Sequence, residues 1–210
     1  MKPAKAVIFD MDGVIVDSEP RHERAFLEVV REIGYGENHG LRFADFIGRS
    51  DHELWQHFVA LHNPPQSLPE LLAMKRQRVL EIIRREEPLF DGLPDLVEKL
   101  AVRYALALAS GSERQVVNEV LRLRDLARFF PVIVTGAEIN RGKPAPDIFL
   151  RTAELLDTPP AECWVIEDSR PGVASGLAAG MSVIAITNTS ELVSATHVVE
   201  TYAEIEQLLL

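Results

Sequence analysis

Val7-Ile8-Phe9-Asp10-Met11-Asp12-Gly13-Val14 decides how this chain is read. An apolar run stops at two carboxylates spaced i, i+2 and then a glycine, which is the layout of a charged site at the end of a buried strand. In an open parallel sheet, ligands bind outside the carboxyl ends of the strands, so an aspartate placed directly after one points into that crevice. The glycine lets the chain turn sharply while its backbone stays close to a ligand. Two neighbouring carboxylates repel one another and are costly to bury, so they imply a cation, a shared proton or a Lys/Arg partner.

Two later segments share the design. Leu106-Ala107-Leu108-Ala109 runs into Ser110-Gly111-Ser112, and Trp164-Val165-Ile166 runs into Glu167-Asp168-Ser169. As parallel neighbours of the first strand they bring all three sets of polar groups to one edge. Ser110 then offers a hydroxyl, and Gly111 and Ser112 offer backbone amides at the start of a helix, which suits an anionic oxygen. Glu167 and Asp168 join Asp10 and Asp12. Four carboxylates in one crevice are hard to tolerate without a hard cation, and oxygen ligands favour Mg²⁺, which keeps several waters and also takes phosphate oxygens from a substrate. Lys143, in Arg141-Gly142-Lys143-Pro144-Ala145-Pro146-Asp147, is the natural positive partner. Its ammonium can neutralise an aspartate and bind a transferring phosphoryl group. A cis peptide at Lys143-Pro144 would aim it, since X-Pro bonds are the ones that tolerate cis readily.

Farther out, short apolar runs alternate with longer helical stretches, the pattern of a parallel sheet covered by helices on both faces. The predicted strands are Ala6 to Phe9, Tyr104 to Ala109, Val132 to Thr135, Cys163 to Glu167, Ser182 to Ile186 and His197 to Val199. Between Asp17 and about Glu86 the spacing is helical instead. Glu19 to Ile33 carries Ala25, Phe26, Val29, Val30 and Ile33 on one face, and similar spacing recurs over Asp51 to Leu61 and Leu68 to Arg85, broken at Asn63-Pro64-Pro65. The expected fold is therefore an α/β, Rossmann-like parallel sheet with an inserted α-helical domain. Residues 1–16 and 87–210 form the core and 17–86 the insertion.

Composition closes off other classes. The chain has 210 residues, long enough for a substantial core. A net charge of −10, with no Lys/Arg-rich block to offset it, argues against a nucleic-acid partner. Cys163 is the single cysteine, which excludes an internal disulfide and a cysteine-based metal cluster. No apolar run approaches the roughly 18 residues that span a bilayer, and the chain enters its first strand without the apolar segment of a signal peptide. The expectation is a cytoplasmic monomer acting on a small molecule, with no membrane partner.

Together these residues resemble the haloacid dehalogenase-like superfamily of aspartate-nucleophile phosphotransferases. The resemblance rests on FDMDGVIVDSE (Phe9 to Glu19), ASGS around Ser110, GKPAPDIF (Gly142 to Phe149) and VIEDSRPGV (Val165 to Val173), in the family's order and spanning nearly the whole chain. It implies that Asp10 is the nucleophile and Asp12 the general acid/base. It also implies that Ser110 and Lys143 bind the phosphoryl group and that Glu167 and Asp168 help hold Mg²⁺; the Gly111 amide is expected to join the phosphate site, and Asp10 and Asp12 the metal site. Asp10 would become an aspartyl phosphate, while Asp12 protonates the leaving oxygen and then deprotonates water or a sugar hydroxyl. The backbone carbonyl of Asp12 can also reach the metal. A halide leaving group needs no proton, so Asp12 argues against the metal-independent dehalogenase branch.

The insertion resembles the small helical cap of β-phosphoglucomutase and related sugar-phosphate phosphatases. Ser18 and His22 match positions at that cap's entrance. Phe46-Ile47-Gly48-Arg49-Ser50-Asp51 resembles the mutase's specificity loop, but Ile47 and Asp51 stand where the resemblance implies basic groups gripping a distal phosphate, and a further cap lysine falls near Gln77. Arg49, Lys75 or Arg76 are candidate replacements in a shifted register, although Lys75 to Arg78 also reads as a solvated helix face. A mutase must hold a bisphosphate by its second phosphate, whereas a phosphatase has no such need. The expected function is a Mg²⁺-dependent phosphatase of a small phosphorylated metabolite, a sugar or polyol phosphate, with β-phosphoglucomutase as the alternative and a non-catalytic binding module behind both. A calcium loop at Asp10 is disfavoured because Val14 replaces an oxygen ligand.

Overall fold

The structure, a computed structural model, describes residues 4–36, 39–46, 51–187 and 194–210. Among these residues the strands are β1 (Ala6–Phe9), β2 (Ala105–Ser110), β3 (Val132–Thr135), β4 (Cys163–Glu167), β5 (Ser182–Ile186) and β6 (His197–Val199). The helices are α1 (Glu19–Glu32), α2 (Asp51–His62), α3 (Leu68–Glu86), α4 (Leu93–Ala101), α5 (Arg114–Arg122), α6 (Asp147–Leu155), α7 (Arg170–Ala178) and α8 (Tyr202–Leu209). The strands form one parallel sheet in the order β3-β2-β1-β4-β5-β6. The second strand lies one residue later than its sequence pattern suggests. The Tyr104 amide is used to close a turn on the Leu100 carbonyl at 2.9 Å, and Ser110 pairs with Thr135 as the last rung of the ladder.

β1 is buried along its length because the sheet is covered on both faces, which is why its sequence is continuously apolar rather than alternating. On one face, Ile148 and Phe149 of α6 and Val173 of α7 pack with Ala6, Ile8, Ala107, Val165 and Val183. On the other, α4 packs on β2 and α8 on β6, and Phe9 meets Phe130 edge-on at 5.7 Å between ring centroids. The order of the sheet places β1 between β2 and β4, so the chain leaves β1 to opposite sides. This switch point is where an open α/β sheet opens a crevice.

The chain divides into two compact units, Met1–Asp17 with Pro88–Leu210, and Ser18–Glu87. Each boundary falls one residue later than the sequence spacing suggests. The Asp17 amide donates to the Pro88 carbonyl at 2.9 Å, next to a Val16–Leu89 bridge, which ties Asp17 to the sheet unit. Glu87 instead closes α3, its amide bonded to the Ile83 carbonyl at 2.9 Å.

In the helical unit, α1, α2 and α3 enclose an aromatic cluster in which Trp55 lies 5.0 Å from Phe26 and 5.3 Å from Phe58. Burying each such ring contributes about 1.5–3 kcal/mol. A reciprocal cap starts α3, with the Ser67 amide donating to Glu70 at 2.7 Å. At the far end of α3, Glu86 accepts from Arg21 at 3.2 Å and Arg24 at 2.5 Å, joining the two long helices.

Candidate active site

The strand ends set the site. Phe9 lies opposite Leu108 on β2 and Ile166 on β4, so Asp10, next along the chain, comes level with Ala109 and Glu167. Its amide still donates to the Ile166 carbonyl at 3.0 Å, which holds the backbone in line with the sheet. Beyond it the Met11 carbonyl accepts from the amides of Ile15 at 2.8 Å and Val16 at 3.1 Å, turning the chain back. Gly13 sits in that turn at φ +77°, and a Cβ there would fall 1.9 Å from an Asp168 carboxylate oxygen. Only glycine allows both the left-handed backbone and the close approach.

Lys143 enters from the β3–α6 connection. Its ammonium donates to Asp10 Oδ1 and to Glu167 Oε1, each at 2.5 Å, and sits 5.2 Å from the Phe149 ring centroid. The Lys143-Pro144 bond is cis, as expected from the loop sequence. Burial acts to lower the lysine's proton affinity, but the Asp10 and Glu167 carboxylates outweigh it and raise the pKa, so the ammonium stays charged. Burial also drives the Asp10 carboxyl well above the usual carboxylate range; the Lys143 charge opposes that shift, and Glu167 and Asp12 add to it. For the same leading reason, with Glu167 contributing, the Asp168 carboxyl is pushed up to about 7.

Carboxylate oxygens of Asp10, Glu167 and Asp168 all lie within 4.8 Å of one another. One lysine does not balance them. An all-oxygen donor set carrying surplus negative charge fits a hard divalent cation such as Mg²⁺. Asp12 is aimed elsewhere: its Oδ2 accepts from Ser112 Oγ at 2.7 Å and Ser110 Oγ at 3.4 Å. Two carboxylates two residues apart thus point to different partners.

Ser110 is fully buried and accepts the Ser112 amide at 3.0 Å on its Oγ. The helix that follows, α5, begins only at Arg114, so the Gly111 and Ser112 amides precede the helix instead of opening it. The sequence offers Ser112 only for its backbone amide, and the contact of its hydroxyl with Asp12 is a finding of the structure. Ser169 and Gly172 were missed. Glu167 Oε2 accepts the amides of Asp168 at 2.9 Å and Ser169 at 3.0 Å, and the Ser169 hydroxyl at 2.9 Å. Ser169 then caps α7 by accepting the Gly172 amide at 3.1 Å. A Cβ on Gly172 would fall 1.7 Å from Glu167 Oε1.

In the helical unit the Ser18 carbonyl accepts the amides of Arg21 at 3.0 Å and His22 at 2.9 Å in the first turn of α1. His22 Nδ1 lies 3.2 Å from the Lys75 ammonium, which also ion-pairs with Asp51. Lys75 is fully buried, so reading this stretch of α3 as a solvated face fails at Lys75, which packs between α1 and α2. Arg49 and Ile47 lie outside the described residues.

Known proteins are similar to this chain over most of its length. The chain is 31% identical over 183 residues to the phosphorylated carbohydrates phosphatase of Thermotoga maritima, covering 86% of this chain and 83% of that protein. It is 31% identical over 181 residues to the fructose-1-phosphate phosphatase of Escherichia coli K12, covering 85% and 94%. The β-phosphoglucomutase of Clostridium difficile shares the fold with a TM-score of 0.81 at 23% identity, over 98% of this chain and 95% of that one. The family model of the haloacid dehalogenase-like hydrolases matches residues 7–186, from the strand that precedes Asp10 through the acidic pair at the end of β4 and on to the end of β5, and the chain belongs to that family.

Proposed function

We propose that this protein is a Mg²⁺-dependent phosphatase of a small phosphorylated metabolite, a sugar or polyol phosphate, working through an aspartyl phosphate on Asp10. The observation that carries the reading is the Lys143 ammonium held at 2.5 Å from both Asp10 and Glu167, at the switch point of the sheet. A carboxylate attacks a dianionic phosphate only when charge is cancelled around it, and in-line placement supplies much of the rest. Lys143 provides a fixed positive charge beside the nucleophile. Ser110 and the Gly111 amide receive the phosphoryl oxygens.

Asp12 gives a proton to the leaving oxygen and then takes one from water, with Ser112 and Ser110 orienting its carboxylate. Asp10, Glu167 and Asp168, with the Asp12 carbonyl, would hold Mg²⁺, which supplies charge stabilisation to the transferring phosphoryl group. Ser18–Glu87 would serve as the cap that selects the substrate, with Ser18, His22 and Arg49 as its candidate substrate residues. The two phosphatase relatives support the substrate class. The pairing of Lys75 with Asp51 favours hydrolysis over mutase chemistry, because one cap cation is already neutralised by a carboxylate within its own unit.

Phosphate release from an aryl phosphate, with Mg²⁺ and with Asp10→Asn as control, tests the nucleophile; equal activity in both proteins sinks the assignment. Incubation with β-glucose 1-phosphate, with and without the 1,6-bisphosphate, separates the two activities. Isomerisation outpacing phosphate release would make the enzyme a mutase.

A further inference from the structure

The loop carrying Lys143 is anchored to a second helix through a hydroxyl outside the motif residues. Ser175, in the middle of α7, is fully buried, and its Oγ donates to the Ala145 carbonyl at 2.7 Å. A buried serine in a helix usually satisfies itself on its own helix. Thr152 of α6 does so, donating to the Ile148 carbonyl at 2.8 Å. Ser175 instead reaches across to the lysine loop. Prolines at 144 and 146 remove two backbone donors from that loop; the Arg141–Asp147 ion pair ties its start to α6, the Ala145 amide donates to the Gly142 carbonyl at 3.0 Å within it, and the Ser175 hydroxyl holds it to α7 through the Ala145 carbonyl.

The helix that offers Ser175 is itself fixed against the other carboxylate partner of Lys143. Its N-cap Ser169 binds Glu167, and Gly172 lies against the Glu167 carboxylate. Gly176 presses α7 onto the sheet, since a Cβ there would fall 2.7 Å from Val183 Cγ2. One rigid helix therefore sets the height of Glu167 at its start and of the Lys143 loop in its middle.

We propose that Ser175 is a positioning residue for Lys143: through the Ala145 carbonyl it registers the ammonium against Asp10 and Glu167. The kinetic part of the inference rests on the phosphatase reading, because a displaced lysine costs most when charge develops on the transferring phosphoryl group. Loss of one buried neutral hydrogen bond corresponds to a decrease of about 3- to 10-fold.

The experiment compares Ser175→Ala, Ser175→Cys and Thr152→Val with the unaltered protein, by Mg²⁺-dependent hydrolysis of an aryl phosphate and by the ¹⁵N resonance of the Lys143 ammonium, assigned through its loss in Lys143→Arg. Cysteine keeps the volume but is a weak donor, so it separates the hydrogen bond from a cavity. Both Ser175 variants should lower kcat by about 3- to 10-fold with KM within about twofold, and should shift or broaden the Lys143 resonance, while Thr152→Val changes neither. An unmoved resonance with unchanged kcat in Ser175→Ala overturns the proposal, as does a Ser175→Cys protein that behaves like the unaltered one. If the unaltered protein releases no phosphate from any aryl or sugar phosphate, the phosphatase reading fails, and the resonance alone then supports or overturns the positioning role.

Discussion

Each unit of this protein sets a lysine against carboxylates, Lys75 fully buried and Lys143 partly buried, and the two are solved differently. Lys143 lies between Asp10 and Glu167, with Asp168 close by and Asp12 at the same strand end, so the surroundings remain negative after the lysine is counted. Lys75 faces Asp51 and the ring of His22, so the carboxylate beside it matches its charge. Their partners differ too: the Glu167 side chain is 0% exposed, whereas that of Asp51 is 36% exposed. A buried ammonium matched by a carboxylate that reaches water is structure. A buried cluster that does not close has capacity left for a cation and a phosphoryl group.

The sharpest break between the regions is chemical. Asp10→Asn should lower Mg²⁺-dependent phosphate release by about 10³-fold or more, since on the proposed mechanism it removes the nucleophile. Lys75→Met should leave the transfer step itself intact, so its kcat on a small aryl phosphate that makes few cap contacts should change by less than about threefold; initial rates on both variants check this.

Stability separates the lysines next. Lys143→Met strands Asp10 and Glu167, both buried, and should cost about 3–5 kcal/mol in urea unfolding without Mg²⁺. Lys75→Met leaves Asp51 able to reach water, and should cost only about 1–2 kcal/mol. Equal losses would mean the two clusters are energetically alike and would remove the contrast.

A pH experiment probes the surplus charge directly. The Asp168 carboxyl sits near pH 7 in the folded protein, so the native state holds a proton that the unfolded chain releases near pH 4. That contribution is complete below the unfolded value and is lost as pH rises through about 7. Without Mg²⁺, stability should therefore fall between pH 5 and pH 8, on the order of 2–4 kcal/mol, and Asp168→Asn should flatten the slope. Mg²⁺ at about 100 times its Kd should restore about 2.7 kcal/mol at pH 8, where the ligands are ionised. A stability profile that rises with pH in the metal-free protein would contradict the shift at Asp168.

The smallest expected effect concerns glycine. Gly111→Ala meets no atom within 4 Å and should be stably folded, whereas Gly172→Ala must displace Glu167. Melting temperatures of the two, with the first nearly unchanged and the second lowered by several degrees, would show that it is Glu167, and not the phosphate turn, that tolerates no extra atom.

Most of the fold was legible because strand and helix periods are local. Five of the six strands begin and end where the apolar runs do, and β2 shifted only because Tyr104 and Ser110 had other hydrogen-bond partners. The polar groups at the ends of β1, β2 and β4 were legible for the same reason, since each interrupts an apolar run. Lys75 was not. Its neighbours Arg76 and Arg78 make the stretch look solvated, and nothing in a helical period reports that Asp51 and His22, from two other helices, close over that one position.

By itself the sequence determined which residues stand at the strand ends, that a helical insertion separates the first strand from the rest, and that four acidic groups lie at the ends of two of the strands. Only the tertiary structure decided how those groups divide: Lys143 bridging Asp10 and Glu167, Asp12 turned to Ser112, and α7 holding Glu167 at one end and the Lys143 loop through Ser175. The physical reason is that burial and charge compensation are sums over every element packed around a side chain. Residues such as Asp10 and Lys143 acquire their properties from neighbours 133 positions away, which no local pattern records.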